Sequence, residues 1–186
     1  PRHLAPCARP ERGDPVTELT SRAVHAVART TLRPVSRLLR PSRPGIAAMD
    51  ALLGGILGIV ARPRPDTHVD PVDVETPHGR VVGEWVRAGS ARHAPPEGPV
   101  VLYLHGGAFV ACSPRTHRGL VAELSAASGR PIFSSTYRKA PRHPHPAALE
   151  DAWRALRWLQ ADQVPHRTVA VAGDSAGGWL TLAVAR

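Results

Sequence analysis

Ser175 is a lone serine between small residues in the segment VAVAGDSAGGW. With Gly173 and Gly177 it makes a GxSxG pattern that follows a short apolar run and precedes a helical pattern. Such a short turn from strand to helix strains the serine backbone, and the flanking glycines remove side chains that would crowd it. The pattern therefore predicts a nucleophilic hydroxyl at the carboxyl edge of a sheet, above the free N–H groups that begin a helix.

A second glycine-containing segment, YLHGGAF, ends an earlier apolar run. Two consecutive glycines let a backbone turn its N–H groups toward a ligand. Donors from this segment, together with the N–H of Ala176, would form an oxyanion hole for a tetrahedral intermediate. Taken alone, His105, Gly106 and Gly107 would indicate only a tight turn between strand and helix. Their combination with Ser175 favours the oxyanion hole.

The elements that must position these two segments alternate along the second half of the chain. Two strands joined by a turn at residues 77–79 are predicted within residues 72–86, and further strands within residues 99–104, 131–137 and 168–172. A helix that ends at Gly129 is predicted to bury Leu120, Val121, Leu124 and Ala127. A second, over residues 147–162, is predicted to bury Ala148, Leu149, Ala152, Ala155, Leu156 and Leu159. This alternation predicts an α/β fold with a mostly parallel sheet and helices on both faces.

Composition narrows the partners and the compartment. The formal charge of +9 comes almost wholly from arginine, and no basic stretch is interleaved with stacking aromatic residues, so nucleic-acid binding is not expected. The apolar run at residues 51–61 is about half of what a membrane-spanning helix requires. Cys7 and Cys112 are far apart in the chain and differ in setting, so the sequence gives no support for a disulfide between them, and no Cys/His pattern suggests a zinc site. We expect a cytoplasmic protein without an integral membrane segment or a bound metal.

The segments HGGAF, YRKAPRHPHPAALEDAWRALRWL and GDSAGG resemble, in order and spacing, the signatures of the hormone-sensitive-lipase-like family of α/β-hydrolases. The bacterial branch of that family comprises carboxylesterases and lipases. The resemblance covers residues 70–186 and implies the α/β-hydrolase fold, a small-molecule acyl ester as substrate and no cofactor. Residues 1–68 would supply a disordered start and a helical cap, with amphipathic helices within residues 16–39, and residues 69–186 would belong to the hydrolase domain.

The resemblance also assigns roles to individual residues. Ser175 would be the nucleophile, and Gly106, Gly107 or Ala108 would provide oxyanion donors together with Ala176. His105 would orient its loop and not act as the base, while Gly173, Asp174 and Gly177 would support the motif. Three positions depart from the family pattern: Ala108 stands for a third glycine, Arg142 for a glutamate and His145 for an aromatic residue.

A serine nucleophile requires a histidine base, which is oriented by a carboxylate, and in this fold both follow the serine in the chain. The residues after Ser175 include no Asp, Glu or His. We therefore expect a sequence truncated after the nucleophile elbow, and inactive by itself. His117, His143 and His145 are expected to be structural or surface residues, and Asp174 to bond to the backbone.

Two other functions fit the same residues. The chain would belong to a non-catalytic small-molecule receptor if the natural protein had lost its base, or to an amidase or deacetylase that uses the same apparatus. The sequence carries no signal for an oligomeric state.

Overall fold

The computed structural model describes residues 45, 48, 50, 51, 54, 55, 62–95, 98–163 and 168–185. The six described residues between 45 and 55 are helical. The predicted disordered start and the predicted amphipathic helices within residues 16–39 lie outside the described residues. The predicted domain boundary at residue 68 stays a prediction. From residue 46 onward the described residues belong to one compact unit.

Five strands form one mixed sheet. In chain order they are β1 (His68–Thr76), β2 (Gly79–Arg87), β3 (Val100–Leu104), β4 (Ile132–Thr136) and β5 (Val169–Gly173). Their order across the sheet is β1-β2-β4-β3-β5. β3 pairs in parallel with β4 and with β5, whereas β1 pairs antiparallel with β2, and β2 with β4. The predicted hairpin and the three predicted parallel strands are thus all present.

Three helices cover both faces of this sheet: α1 (Pro114–Ser128), α2 (Ala147–Arg157) and α3 (Ala176–Val184). Because side chains alternate along a strand, β3 contributes to two separate cores. Leu102 and Leu104 pack in a cluster with residues of α2 and α3, whereas Tyr103 packs on the other face with residues of α1. β3 is therefore covered on both faces, as its continuous apolar sequence predicts.

The buried face of α1 differs from the prediction. Leu120 and Leu124 are 44% and 39% exposed and Ala127 is also exposed, so Val121 alone of the predicted stripe is buried. Ser125 lies inside instead, where its hydroxyl donates to the carbonyl of Arg130 at 2.8 Å and accepts from the N–H of Ala88 at 3.2 Å. A polar side chain can occupy the core when its hydrogen bonds are satisfied there. The predicted end of the helix is confirmed, since Gly129 is left-handed at φ 63°.

The predicted apolar face of α2 is confirmed. Four of its residues are buried, namely Ala152, Ala155, Leu156 and Leu159, and Ala148 and Leu149 pack against the same core while half-buried. The helix passes at Trp158 into a π-helical turn, Trp158–Gln163. On its outer side, Asp151 accepts from Arg138 at 2.9 Å and from Arg154 at 2.6 Å. These pairs fix the start of α2 against the segment that follows β4.

Candidate active site

The turn between β5 and α3 holds Ser175 in a strained backbone conformation. β5 ends at Gly173 and α3 begins at Ala176, so two residues make the turn. Ser175 has φ 50° and ψ −115°, a region that residues with a Cβ rarely adopt. Its side chain is exposed. Such strain persists only where the surrounding structure imposes it, and it concentrates at functional sites.

The turn packs so closely on β3 that position 177 has no room for a side chain. A Cβ on Gly177 would lie 1.8 Å from the carbonyl oxygen of Leu104 and 2.7 Å from that of His105. A Cβ on Gly173 would lie 2.6 Å from the same Leu104 oxygen. The two glycines of the motif therefore let the serine turn sit directly against the end of β3.

Asp174 joins this turn to the segment after β3. Its Oδ1 accepts hydrogen bonds from the N–H of Gly106 at 2.9 Å and from the hydroxyl of Tyr103 at 2.7 Å. The Nε2 of His117 lies 3.6 Å from the same oxygen. The expected bond between Asp174 and the backbone is present. It also corrects one prediction, because the Gly106 N–H is engaged by Asp174 and is not free to meet an oxyanion.

The loop of residues 106–112, which we call the glycine loop, contains four residues with left-handed φ. They are Gly107 at 118°, Ala108 at 53°, Phe109 at 62° and Cys112 at 68°. Within the described part of the chain, no group accepts a hydrogen bond from the N–H of Gly107, Ala108 or Ala176. Unpaired N–H groups of this kind are donors held ready for an anionic ligand.

His105 is buried and held in place by its neighbours. Its Nδ1 donates to the carbonyl of Gly106 at 2.7 Å, and its own carbonyl accepts from the hydroxyl of Tyr137 at 2.6 Å. The two rings stack with centroids 4.3 Å apart. Burial lowers the pKa of His105 to about 4. The ring is therefore neutral at physiological pH.

The other histidines near the site occupy two places. His117 is buried on α1 beside Asp174, so it is not a surface residue, and its structural role stays a prediction. His143 and His145 are exposed and line a cavity. None of the three forms a hydrogen bond with the Ser175 side chain in the part of the chain that the structure describes.

That cavity has a volume of about 340 Å³ and lies between the glycine loop, α2 and α3. Among its lining residues, Phe109 and Trp179 are in edge-to-face contact with ring centroids 5.9 Å apart, and the rings of His145 and Trp179 lie 6.2 Å apart. Trp179 lies one helical turn after Ser175, and its backbone N–H donates to the Ser175 carbonyl at 3.2 Å. An apolar cavity with a few polar groups is typical of a small-molecule site.

Sequence reasoning missed three residues of this region. Tyr103 and Tyr137 bond to Asp174 and His105, and Asp50 bonds to the glycine loop at Cys112. The tyrosines lie in strand-forming segments, where apolar packing alone accounts for them. Asp50 lies 62 residues before its partner, so no local pattern could have indicated it.

Comparison with known proteins places this geometry in context. Residues 101–186 match a family described as having the α/β hydrolase fold. The chain is 46% identical over 103 residues to the carboxylesterase/phospholipase LipF of Mycobacterium tuberculosis, covering 55% of this chain and 28% of LipF. It is 43% identical over 115 residues to an acetyl-hydrolase of Streptomyces hygroscopicus, covering 62% of this chain and 36% of that protein.

Solved structures agree with the sequence matches. An esterase from the bacterial hormone-sensitive lipase family superimposes with a TM-score of 0.67 at 34% identity, covering 81% of this chain and 47% of that one. A hyperthermophilic esterase from Pyrobaculum calidifontis gives a TM-score of 0.68 at 28% identity, covering 92% and 52%. The chain thus spans about half the length of these structures, and less of the curated relatives just named. None of the described helices is long and apolar enough to cross a membrane.

Proposed function

We propose that Ser175 is the nucleophile of a serine carboxylester hydrolase, because residues 101–186 match a family with the α/β hydrolase fold and the chain resembles an esterase of the bacterial hormone-sensitive lipase family. Its Oγ attacks the carbonyl carbon of an acyl ester while a base takes the hydroxyl proton. The alkoxy group leaves as the alcohol with that proton. Water then attacks the acyl-enzyme, which releases the carboxylic acid and restores Ser175.

The observation that carries this proposal is the pairing of a strained, exposed serine with free backbone donors. Ser175 is followed directly by the unpaired N–H of Ala176, and the bond from Gly106 to Asp174 draws the glycine loop to the same turn. Gly107 and Ala108 then offer further N–H groups toward the negative charge of a tetrahedral intermediate. Removing one such donor costs on the order of 3 kcal/mol of transition-state stabilisation in serine hydrolases.

The base is proposed to be none of the described histidines. His105 has its Nδ1 engaged and its ring buried, and the lowered pKa makes it a weak proton acceptor at neutral pH. His117 faces the carboxylate of Asp174, and neither His143 nor His145 contacts the serine side chain. Without a base Ser175 stays protonated, so we propose that the 186-residue chain by itself hydrolyses esters slowly or not at all. We also propose a cytoplasmic location for the natural protein.

Hydrolysis of p-nitrophenyl butyrate tests the proposal in two forms of the protein: the 186-residue chain and the natural gene product that contains it. The natural protein should turn over the ester and react with a fluorophosphonate at Ser175, and Ser175→Ala should abolish both. Equal turnover by the two forms would show that the base lies within the 186 residues. Binding of esters without turnover by the natural protein would favour a receptor, and cleavage of p-nitroacetanilide in preference to the ester would favour an amidase.

A further inference from the structure

The glycine loop carries the proposed oxyanion donors in a backbone conformation that its own residues do not favour. Ala108, Phe109 and Cys112 are all left-handed, although each has a Cβ that opposes this conformation. Hydrogen bonds within the loop run from the N–H groups of Val110 and Ala111 to the carbonyl of Gly107, at 3.0 and 2.9 Å. They close the first turn of the loop and leave Cys112 to be held by other segments.

Two side chains from distant segments hold the backbone of Cys112. The Oδ1 of Asp50 accepts from the Cys112 N–H at 2.6 Å, and the ammonium of Lys139 donates to the Cys112 carbonyl. The same ammonium lies 3.8 Å from Oδ2 of Asp50. Both peptide groups of a buried, left-handed residue are thus fixed by one ion pair.

The segment after β4 holds the loop at a second point. The N–H of Ala140, next to Lys139, donates to the carbonyl of Phe109 at 2.9 Å. On the other side of Cys112, Gly54 lies near the Thr116 side chain, where a Cβ on Gly54 would be 3.6 Å from the Thr116 methyl group. Asp50 and Gly54 therefore both lie beside the chain between Cys112 and the first turn of α1.

We propose that the Asp50–Lys139 pair positions the oxyanion donors through Cys112. Asp50 and Lys139 touch no reacting atom in this scheme. They fix the far end of the glycine loop, while Asp174 fixes its near end at Gly106. The free N–H groups of Gly107 and Ala108 lie between these two anchors. The inference rests on the proposed function, because it gives the loop a role only if an oxyanion forms at Ser175.

The test uses the natural gene product, with active sites counted by fluorophosphonate titration. Asp50→Ala removes the acceptor for the Cys112 N–H. It should lower kcat about 10- to 100-fold, as expected for a small misplacement of catalytic groups, with KM changed less than about threefold. The inhibition constant of a trifluoromethyl ketone, which forms a tetrahedral adduct, should rise by the same factor. A variant that merely unfolds would lose titratable sites without changing either constant per site.

Asp50→Asn keeps an amide oxygen that can accept from Cys112, so it should stay within about threefold of the wild type. Asp66→Ala is a matched control. Asp66 holds the N–H of another left-handed residue, Gly89, at 3.0 Å, but lies outside the proposed active site, so its loss should leave kcat unchanged. Lys139→Met keeps most of the lysine stem and removes the donor to the Cys112 carbonyl. It should lower kcat with KM unchanged. If Asp50→Ala does not fold, the constants of Lys139→Met test the inference in its place.

Wild-type kcat and inhibition constants in Asp50→Ala, or in Lys139→Met where the first does not fold, would overturn the inference and leave the proposed function intact. Absence of turnover dependent on Ser175 in the wild type would instead overturn the proposed function, and the inference would fall with it.

Discussion

The carboxylate of Asp174 accepts a hydrogen bond from the N–H of Gly106 at 2.9 Å, and so joins the residue before Ser175 to the residue after His105. A Cβ on Gly106 would lie 2.2 Å from Oδ2 of the same carboxylate. The contact therefore depends on an acid at one position and a glycine at the other. It couples the proposed nucleophile to the loop of proposed oxyanion donors.

Asp174→Ala should lower the free energy of unfolding by about 2 kcal/mol, since it leaves the Gly106 N–H and the Tyr103 hydroxyl without their acceptor. Burial and the nearby carboxylate raise the pKa of Tyr103, which keeps that hydroxyl a proton donor. Asp174→Asn retains an amide oxygen and should cost less than about 1 kcal/mol. Urea denaturation measures both values. Equal stability of the alanine variant and the wild type would contradict the role of Asp174 as the link.

Gly177→Ala should destabilise the protein by about 3 kcal/mol or more, because its Cβ would meet the Leu104 carbonyl oxygen at 1.8 Å and backbone atoms cannot yield cheaply. Gly178→Ala is the matched control in the next position of α3. Its Cβ would lie 3.4 Å from the nearest atom, the Gly173 oxygen, so the change should be neutral or stabilise the helix by up to about 1 kcal/mol. Thermal melting compares the two. Similar melting temperatures would rule out the close approach.

His105 should make stability depend on pH in the weakly acidic range. Its pKa is lowered from 6.5 to about 4 by burial, so between these values the unfolded chain binds the proton more strongly than the folded one. The free energy of unfolding should therefore fall as pH drops from about 6.5 to about 4, by at most about 3 kcal/mol from this residue.

The variant His105→Asn can still donate an amide N–H to the Gly106 carbonyl but does not titrate. Urea denaturation at several pH values should show a shallower loss of stability toward pH 4 than in the wild type. His78→Asn, in the exposed turn between β1 and β2, should leave the wild-type slope unchanged. Parallel pH profiles for wild type and His105→Asn would contradict a buried, neutral imidazole.

The features that the sequence alone could predict are those encoded within one element or one turn. The apolar runs at β3 and β5 and the glycines around Ser175 specify strands and a tight turn through local packing and backbone freedom. The amphipathic pattern of α2 specifies its buried face in the same way, because one stripe is far more apolar than the other.

The remaining features depend on contacts between distant segments. The prediction of the buried face of α1 was wrong because Ser125 is buried through hydrogen bonds with Arg130 and Ala88. The periodicity of the α1 sequence cannot show these partners. The Gly106 N–H could be recognised as engaged only in the folded structure, where Asp174 lies against it. The contact of Asp50 with Cys112 spans 62 residues and forms only in the folded chain.

Trp179→Ala should shift the proposed enzyme toward longer acyl chains. Trp179 is 49% exposed, lines the 340 Å³ cavity and contacts Phe109 and His145, so its removal enlarges that cavity one helical turn from Ser175. The ratio of kcat/KM for p-nitrophenyl octanoate to that for p-nitrophenyl acetate should rise about tenfold, a typical value for contacts in an apolar pocket.

Leu182 is the control. It is a large apolar residue of the same helix, 70% exposed, that does not line the cavity, so Leu182→Ala should leave the ratio unchanged. A proportional loss on both esters in Trp179→Ala would mean that the cavity does not hold the acyl chain.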